Sequence, residues 1–411
     1  MNQAFLQNHR KEIETYAAYY RQELLDDLIP FWQNRVYDRE CGGFFSCFDR
    51  EGKRLKDIKS GWFVGRNTYT FANLYNTVER REDWLALAEA GADWLLRYAH
   101  QGDYRFNSLM DRRGGVLDGS RSIFNDAFSV KGYLEYLAAL GDHRTQAQVT
   151  FAREAMDALL HNAQDEALMV SEGMAEGRRI HALHFMMLLC AMESEQVFGP
   201  RYRRQAQDYA EKIMCGFEND TYQAVFETLD EQYQPVPMGQ GRLMDPGHAL
   251  ESCWFLMKAG KMYDQSAYLQ RAETVLDWIW EKGWDKANGG LRLLCDVEGG
   301  KPREGFETED YYGTIVHWND KIWWAQAEGL NALAISAIYN ANEMHFQRFG
   351  QLHAYVDQHF RDHQMGEWYA ALSSDNRVIR TDKGMENKGP YHVVRCAAML
   401  SNLFEQCLHN M

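Results

Sequence analysis

Apolar residues in this chain recur at helical spacing over long stretches, and shorter stretches of alternating apolar and polar residues break in at turn residues. The helical pattern predicts twelve helices, over 5–34, 61–81, 83–100, 121–141, 146–162, 179–197, 202–217, 247–262, 266–282, 318–342, 346–361 and 390–408. The alternating segments are GGFFSCFDREGK near 45, YRFNSLMDRRGG near 107, YQAVFETLDEQYQPV near 226, GGLRLLCDVEGGK near 292 and GEWYAALSSDNRV near 370, and each reads as a β-hairpin. They return at intervals of about 60–80 residues or twice that, so each interval holds a pair of helices.

Six antiparallel helical pairs can close into a ring, the (α/α)6 toroid, in which inner helices line a pocket and outer helices cover them. The expected fold is therefore all-α, one domain over 1–411, with short β-hairpins walling one mouth. Only seven prolines occur and no Pro/Ser/Gly-rich linker divides the chain. The segments 61–81, 179–197, 247–262, 318–342 and 390–408 are richest in Trp, Met, Leu and interrupting polar residues, which marks them as the inner set.

Composition narrows the functions open to such a fold. A formal charge of -15 repels phosphate backbones and anionic lipid, which argues against nucleic-acid and membrane binding. No stretch approaches the roughly 18 apolar residues of a membrane span, and the start MNQAFLQNHRKEIETYAAYY lacks a basic region followed by an apolar one. A cytoplasmic enzyme is expected. Its eight cysteines include no CxxC pair and read as reduced core residues.

The inner segments carry the candidate chemistry. Two histidines, His248 in DPGHALESCW and His392 in KGPYHVVRC, each stand just inside the start of a helix, and paired imidazoles can deliver and remove protons near neutral pH. Glu251, one turn from His248, is placed to orient its ring. In GWFVGRNTYTFANLY, Trp62, Arg66 and Tyr69 share a face, so Arg66 is either a core cation–π arginine or a clamp for sugar hydroxyls and an oxyanion. In KIWWAQAEGLNAL, Trp324 and Glu328 lie one turn apart, and a glutamate in such apolar company needs protein donors or substrate hydroxyls. His181 and His184 at i, i+3 lack a matched carboxylate and do not make a metal site; His184 is expected on the pocket wall. Neither a metal nor another cofactor is expected.

The segments RLMDPGHALESCWFL, KIWWAQAEG, GEWYAALSSDNRV and KGPYHVVRCAAML, together with GGFFSCFDREGK and the arginine of FVGRNTYTF, resemble the N-acylglucosamine 2-epimerase superfamily along the whole chain. That group holds N-acylglucosamine, cellobiose and mannose 2-epimerases and aldose–ketose isomerases. The resemblance implies the same toroid, His248 and His392 as the acid/base pair, and Arg66, Trp62, His184, Glu251, Trp324, Glu328 and Trp368 around the sugar. The N-acylglucosamine branch is expected to carry proline where this chain has His184, in a run like AVPMMLL against ALHFMMLL here. That departure favours an unmodified aldose of the mannose or glucose type over an N-acyl sugar, whereas NKGPYHVVRCAAM is closer to the N-acylglucosamine branch.

The expected reaction opens the sugar ring, removes the C2 proton to give an enediolate stabilised by Arg66, and returns the proton to C2 or to C1. Epimer or ketose results. A monosaccharide is the expected partner, for a monomer or a homodimer. Two other classes compete: a glycoside hydrolase using Glu251 and Glu328, and a catalytically silent binding protein. The segment ETEDYYGTIVHWNDK (307–321) is longer than the family pattern requires and is expected to form a lid or an interface.

Overall fold

Helix starts and stops are written locally, and the caps show it. In the computed structural model, which describes residues 2–120, 122–237, 239–303, 309–311 and 314–411, Ser60 caps the helix Gly61–Thr77 by accepting from the Phe63 amide. Asp245 caps Pro246–Met262 in the same way through the His248 amide, with Pro246 in the first turn, where its missing N–H costs nothing. Two other helices start straight from strands, and neighbouring backbone replaces a side-chain cap: His181 N donates to Glu227 O, and Trp323 N to Ala370 O.

Among the described residues, twelve helices have ten residues or more. They are α1 (Arg10–Gln22), α2 (Gly61–Thr77), α3 (Glu82–Trp94), α4 (Ile123–Leu140), α5 (Gln146–Asn162), α6 (His181–Phe198), α7 (Arg203–Lys212), α8 (Pro246–Met262), α9 (Ser266–Gly283), α10 (Trp323–Asn340), α11 (Glu343–His359) and α12 (Pro390–His409). The even-numbered helices pack each on the next, and α12 returns to α2 to close the ring. Each odd-numbered helix covers one inner helix, α1 lying on α12. The expected (α/α)6 toroid is this arrangement.

Burial separates the two layers. Nearly every residue of α10 is buried, as a helix enclosed on all sides requires, whereas α5 buries only a stripe of Ala152, Ala155, Met156, Leu159 and Leu160. The sixth inner helix, α4, was expected as a helix over 121–141 but not among the inner set, because its Asn, Asp, Lys and Glu look like surface residues. Each is buried and paired instead: Asp126 with Arg105, Lys131 with Glu193, and Glu135 with Asn73 and Asn76. Glycine lets α2 and α4 touch, since a Cβ on Gly132 would lie 2.3 Å from the Gly65 carbonyl.

The strands gather where inner helices begin. Ile58–Ser60, Arg178–Ile180, Leu243–Met244 and Lys321–Ile322 lead directly or within one residue into α2, α6, α8 and α10. Of the expected hairpins, 109–111 with 116–118 and 371–372 with 378–380 close locally. Near 226 the segment turns back through a Leu229–Pro235 bridge while its strand Thr228–Asp230 also pairs with Arg178–Ile180, near 292 Cys295–Asp296 pairs with Leu243–Met244, and near 45 the described residues make only isolated bridges. Distant pairing wins because each strand must cross the mouth to the start of an inner helix.

Two further departures concern the ends of helices. The stretch expected as one helix over 5–34 is Gln3–Asn8, α1, a π-helical turn Glu23–Leu28 and Ile29–Gln33, and the short helix Glu166–Ser171 was not anticipated. Within 307–321, residues 307–308 and 312–313 lie outside the described residues, and 309–311 pairs with 314–316. No helix among the described residues is long and apolar enough to cross a membrane.

Candidate active site

His248 and His392 occupy the same place on two different inner helices: each is the third residue, behind a proline at the first. Both line a cavity of about 310 Å³ at that end of the ring, with Trp62, Arg66, Glu251 and Trp324. Phe124, Phe128, Phe185 and Met186 supply an apolar wall. The Trp324 ring centre lies 5.0 Å from that of His248 and 5.9 Å from that of His392. At a helix N-terminus the backbone dipole disfavours a charged imidazole in both places, so any difference between them comes from their partners.

The partners of His248 are carboxylates. Its Nδ1–H donates to Glu227 Oε1 at 2.9 Å, with Asp245 Oδ2 at 3.5 Å. Burial opposes a charge on the ring, but Glu227 and Asp245 outweigh it and raise the pKa to about 10. His248 is therefore an imidazolium at neutral pH. Its Nε2 remains as the ring nitrogen that can meet a ligand.

His392 sits in a different network. Its Nδ1–H donates to Glu328 Oε1 at 2.6 Å, and the same oxygen accepts from Arg395 Nη2 at 2.7 Å. Arg395 also donates to Glu251 Oε1 and to the Tyr391 hydroxyl, and Glu328 Oε2 accepts from Trp254 Nε1. Burial drives His392 well below the ordinary 6.5, and the Arg66 guanidinium adds to it, with Glu251 opposing and Arg395 and His248 reinforcing. The ring is neutral, with its proton on Nδ1 and a lone pair on Nε2.

Arg66 completes the polar side. Its guanidinium carbon stands 4.0 Å from the Phe128 ring centre and 4.9 Å from those of Trp62 and Tyr391, and Nη1 donates to Asn387 O at 2.8 Å. Glu251, Glu328 and His392 come close enough to suggest a metal site. The carboxylate oxygens nearest His392 already accept from Arg395, so a metal there would have to displace a buried guanidinium. The residues do not fit one.

The profile of N-acylglucosamine 2-epimerase (GlcNAc 2-epimerase) matches residues 43–396. The chain belongs to this family. It is 29% identical to N-acylglucosamine 2-epimerase of Homo sapiens over 97% of its own length and 92% of that protein, and 27% identical to D-mannose isomerase of Marinomonas mediterranea over 92% and 96%. Its fold matches cellobiose 2-epimerase from Spirochaeta thermophila with a TM-score of 0.80 at 18% identity, covering 97% of this chain and 99% of that one. The expectation of a carbohydrate epimerase or isomerase on an (α/α)6 toroid holds.

Within this epimerase-family chain, several expected site residues lie elsewhere. His184 is outside the central cavity: its Nδ1–H donates to Ile180 O, its Nε2 accepts from the Tyr233 hydroxyl, and it lines a second cavity. Helix phase explains this. Ala182, Phe185 and Met186 of α6 face the centre, and residue 184 is rotated about 200° from residues 182 and 186, at 100° per residue. His181 and His184 lie about 60° apart on α6 and both rings pack against Phe217, with His181 Nδ1 3.8 Å from Glu227 Oε2. Trp368 is buried and does not line this cavity, donating from Nε1 to Glu23 Oε1 at 2.9 Å. Glu328 is fully buried and serves His392 rather than lining the cavity, and Glu251 serves Arg395 rather than orienting His248.

The residue that does hold His248 was missed. Glu227 lies on no helix but beside the strand Thr228–Asp230, and only its isolation between Phe226 and a threonine in an apolar segment hinted at burial. Asp245 had a clearer signal, as an N-cap residue in Asp-Pro-Gly three positions before the histidine. Arg395 stands in the YHVVR motif at i, i+3 from His392 and went unassigned.

Proposed function

We propose that this protein interconverts the C2 epimers of a reducing sugar through an enediolate, with neutral His392 as the base and charged His248 as the acid. The observation that carries this reading is that two imidazoles line one cavity with unlike partners, His248 beside the carboxylates of Glu227 and Asp245, His392 on a Glu328 oxygen that Arg395 already holds. Ring opening exposes the C1 aldehyde and makes the C2 proton acidic. His392 Nε2 takes that proton, the C2–H electrons move into the C1–C2 bond, and the carbonyl electrons collect on O1 beside Arg66. His248 then gives its proton to the other face of C2 as the carbonyl reforms. The two rings have exchanged states, and the reverse reaction runs from there.

The argument from His184 for an unmodified aldose loses its footing, because that imidazole does not face the central cavity. The apolar wall of Phe124, Phe128, Phe185 and Met186 can take an acyl methyl group, and similarity to N-acylglucosamine 2-epimerases spans nearly the whole chain. These support an N-acylhexosamine, the N-acetylglucosamine and N-acetylmannosamine pair. Similarity to D-mannose isomerase over most of both chains supports a second reading, proton return to C1 of mannose. Eight free cysteines, Cys215 exposed among them, suit a reducing cytoplasm, and a monomer or homodimer serves either reading.

Incubation with a panel of reducing sugars in deuterated water, followed by NMR, tests this. Deuterium should enter C2 of one sugar as its epimer forms. Deuterium at C1 with a ketose product would select the second reading, and no exchange in any aldose or N-acylhexosamine would end both.

A further inference from the structure

Glu227 uses half of its carboxylate. Its Oε1 accepts from His248 Nδ1, but among the described residues no donor reaches Oε2: the nearest, His181 Nδ1, stands 3.8 Å away, beyond hydrogen-bond range. Carboxylates buried elsewhere in the inner ring employ both oxygens. Glu328 accepts from His392 and Arg395 on one and from Trp254 on the other, and Asp126 accepts from the Phe106 amide on one and from Arg105 on the other.

The unused oxygen is not sealed inside the protein. Glu227 lines the central cavity together with His248 and Phe185, and 18% of its side-chain surface stays exposed. Its main chain is held on both sides, the amide donating to Leu243 O and the carbonyl accepting from His181 N. With Oε1 fixed by His248 as well, Oε2 stands in place before a ligand arrives. Burial pushes the carboxyl up, but the charge of His248 and its hydrogen bond pull it well below the ordinary carboxylate range, so the group is an anion at neutral pH. A largely buried anionic oxygen calls for a donor, and sugar hydroxyls are donors.

We propose that Glu227 binds the substrate as well as supporting His248, its Oε2 accepting from the hydroxyl on C3 or C4 of the sugar. His248 turns Nε2 toward C2 and Nδ1 toward Glu227, so Oε2 lies beyond the imidazole rather than beside C2. The hydroxyls next along the sugar are therefore its partners. A sugar lacking that hydroxyl leaves the charge unpaired, and one carrying phosphate or carboxylate there is repelled. This inference rests on the reading of the cavity as a sugar site, though not on the reaction proposed there.

The probes are open-chain alditols, made by borohydride reduction of N-acetylmannosamine, of glucose and of the 3-deoxy and 4-deoxy forms of each, because an alditol has no aldehyde and cannot react. Dissociation constants come from ligand-observed NMR titration of the full chain. At least one parent alditol should bind at or below about 10 mM, and loss of its 3- or 4-hydroxyl should weaken binding about tenfold or more, as for a hydrogen bond to a charged group. Glu227→Gln should bring parent and deoxy forms within about twofold of one another. Glu227→Asp, with the charge kept and the arm shortened, should do the same and serves if the first variant does not fold. Asp245 also acts on His248 but does not line the cavity, so Asp245→Asn should keep the tenfold preference. No binding of either parent up to about 100 mM, deoxy forms binding as well as their parents, a preference that survives both Glu227 variants, or one that Asp245→Asn also abolishes would each overturn the contact. Deuterium entering C2 of a reducing sugar alongside any of these results would sink the contact and leave the proposed reaction standing.

Discussion

The two histidine sites begin alike and end opposite. Each ring stands third in an inner helix behind a proline, each lines the same cavity, and each gives its Nδ1 proton to a glutamate. What differs is the company of that glutamate. Glu328 shares an oxygen with Arg395, so its charge is compensated before His392 meets it, and burial and Arg66 then leave the ring neutral. Glu227 and Asp245 have no arginine or lysine ion pair among the described residues, and their combined charge holds the His248 proton against burial. A carboxylate thus orients an imidazole either way, but charges it only when its own charge is not already met.

The strongest break is removal of either ring. His248→Asn and His392→Asn should each lower turnover by at least ~100-fold with folding retained, as losing a general acid or base does, measured by steady-state kinetics and circular dichroism. Arg395→Met should come next, because it strips the compensation from two buried carboxylates. A loss of about 3–5 kcal/mol in chemical denaturation is expected. In whatever enzyme folds, Glu328 acts on His392 uncompensated, so the pKa of His392 rises and the acid limb of kcat/KM moves to higher pH.

The alkaline side sharpens the other half of the comparison. The proposed mechanism uses His392 neutral and His248 charged, so kcat/KM should rise through a limb below 6.5, stay level through neutrality, and fall near pH 10 as His248 loses its proton. Glu227→Gln removes a charge that raises His248, so the alkaline limb should move down by at least about one pH unit. Asp245→Asn keeps a capping oxygen and removes only the second carboxylate, and its shift should be smaller in the same direction. Exhaustive EDTA treatment should change nothing, because Arg395 holds the carboxylates a metal would need.

Much of the molecule was readable from residue pattern. Eleven of the twelve helices fall within about six residues of their expected places because each has a long periodic stretch, the exception being 5–34, and Pro-Gly-His and Pro-Tyr-His mark the two catalytic candidates at helix starts. Glu227 was not readable, because its meeting with His248 depends on strand pairing between Ile180 and Thr228 across the mouth. His184 was misplaced for a related reason: α6 is apolar nearly all round, so its sequence does not reveal which face turns inward. The sixth inner helix hid behind charges whose partners, Arg105 and Glu193, come from other elements.

The central claim is that one cavity holds a charged and a neutral imidazole side by side. Heteronuclear NMR of protein labelled with 15N-histidine, with His248→Asn and His392→Asn for assignment, tests it directly at pH 7.5. The account predicts that His248 gives the imidazolium pattern and stays charged until near pH 10, while His392 gives a neutral ring protonated at Nδ1. Two neutral rings, or a charged His392 beside a neutral His248, would contradict it.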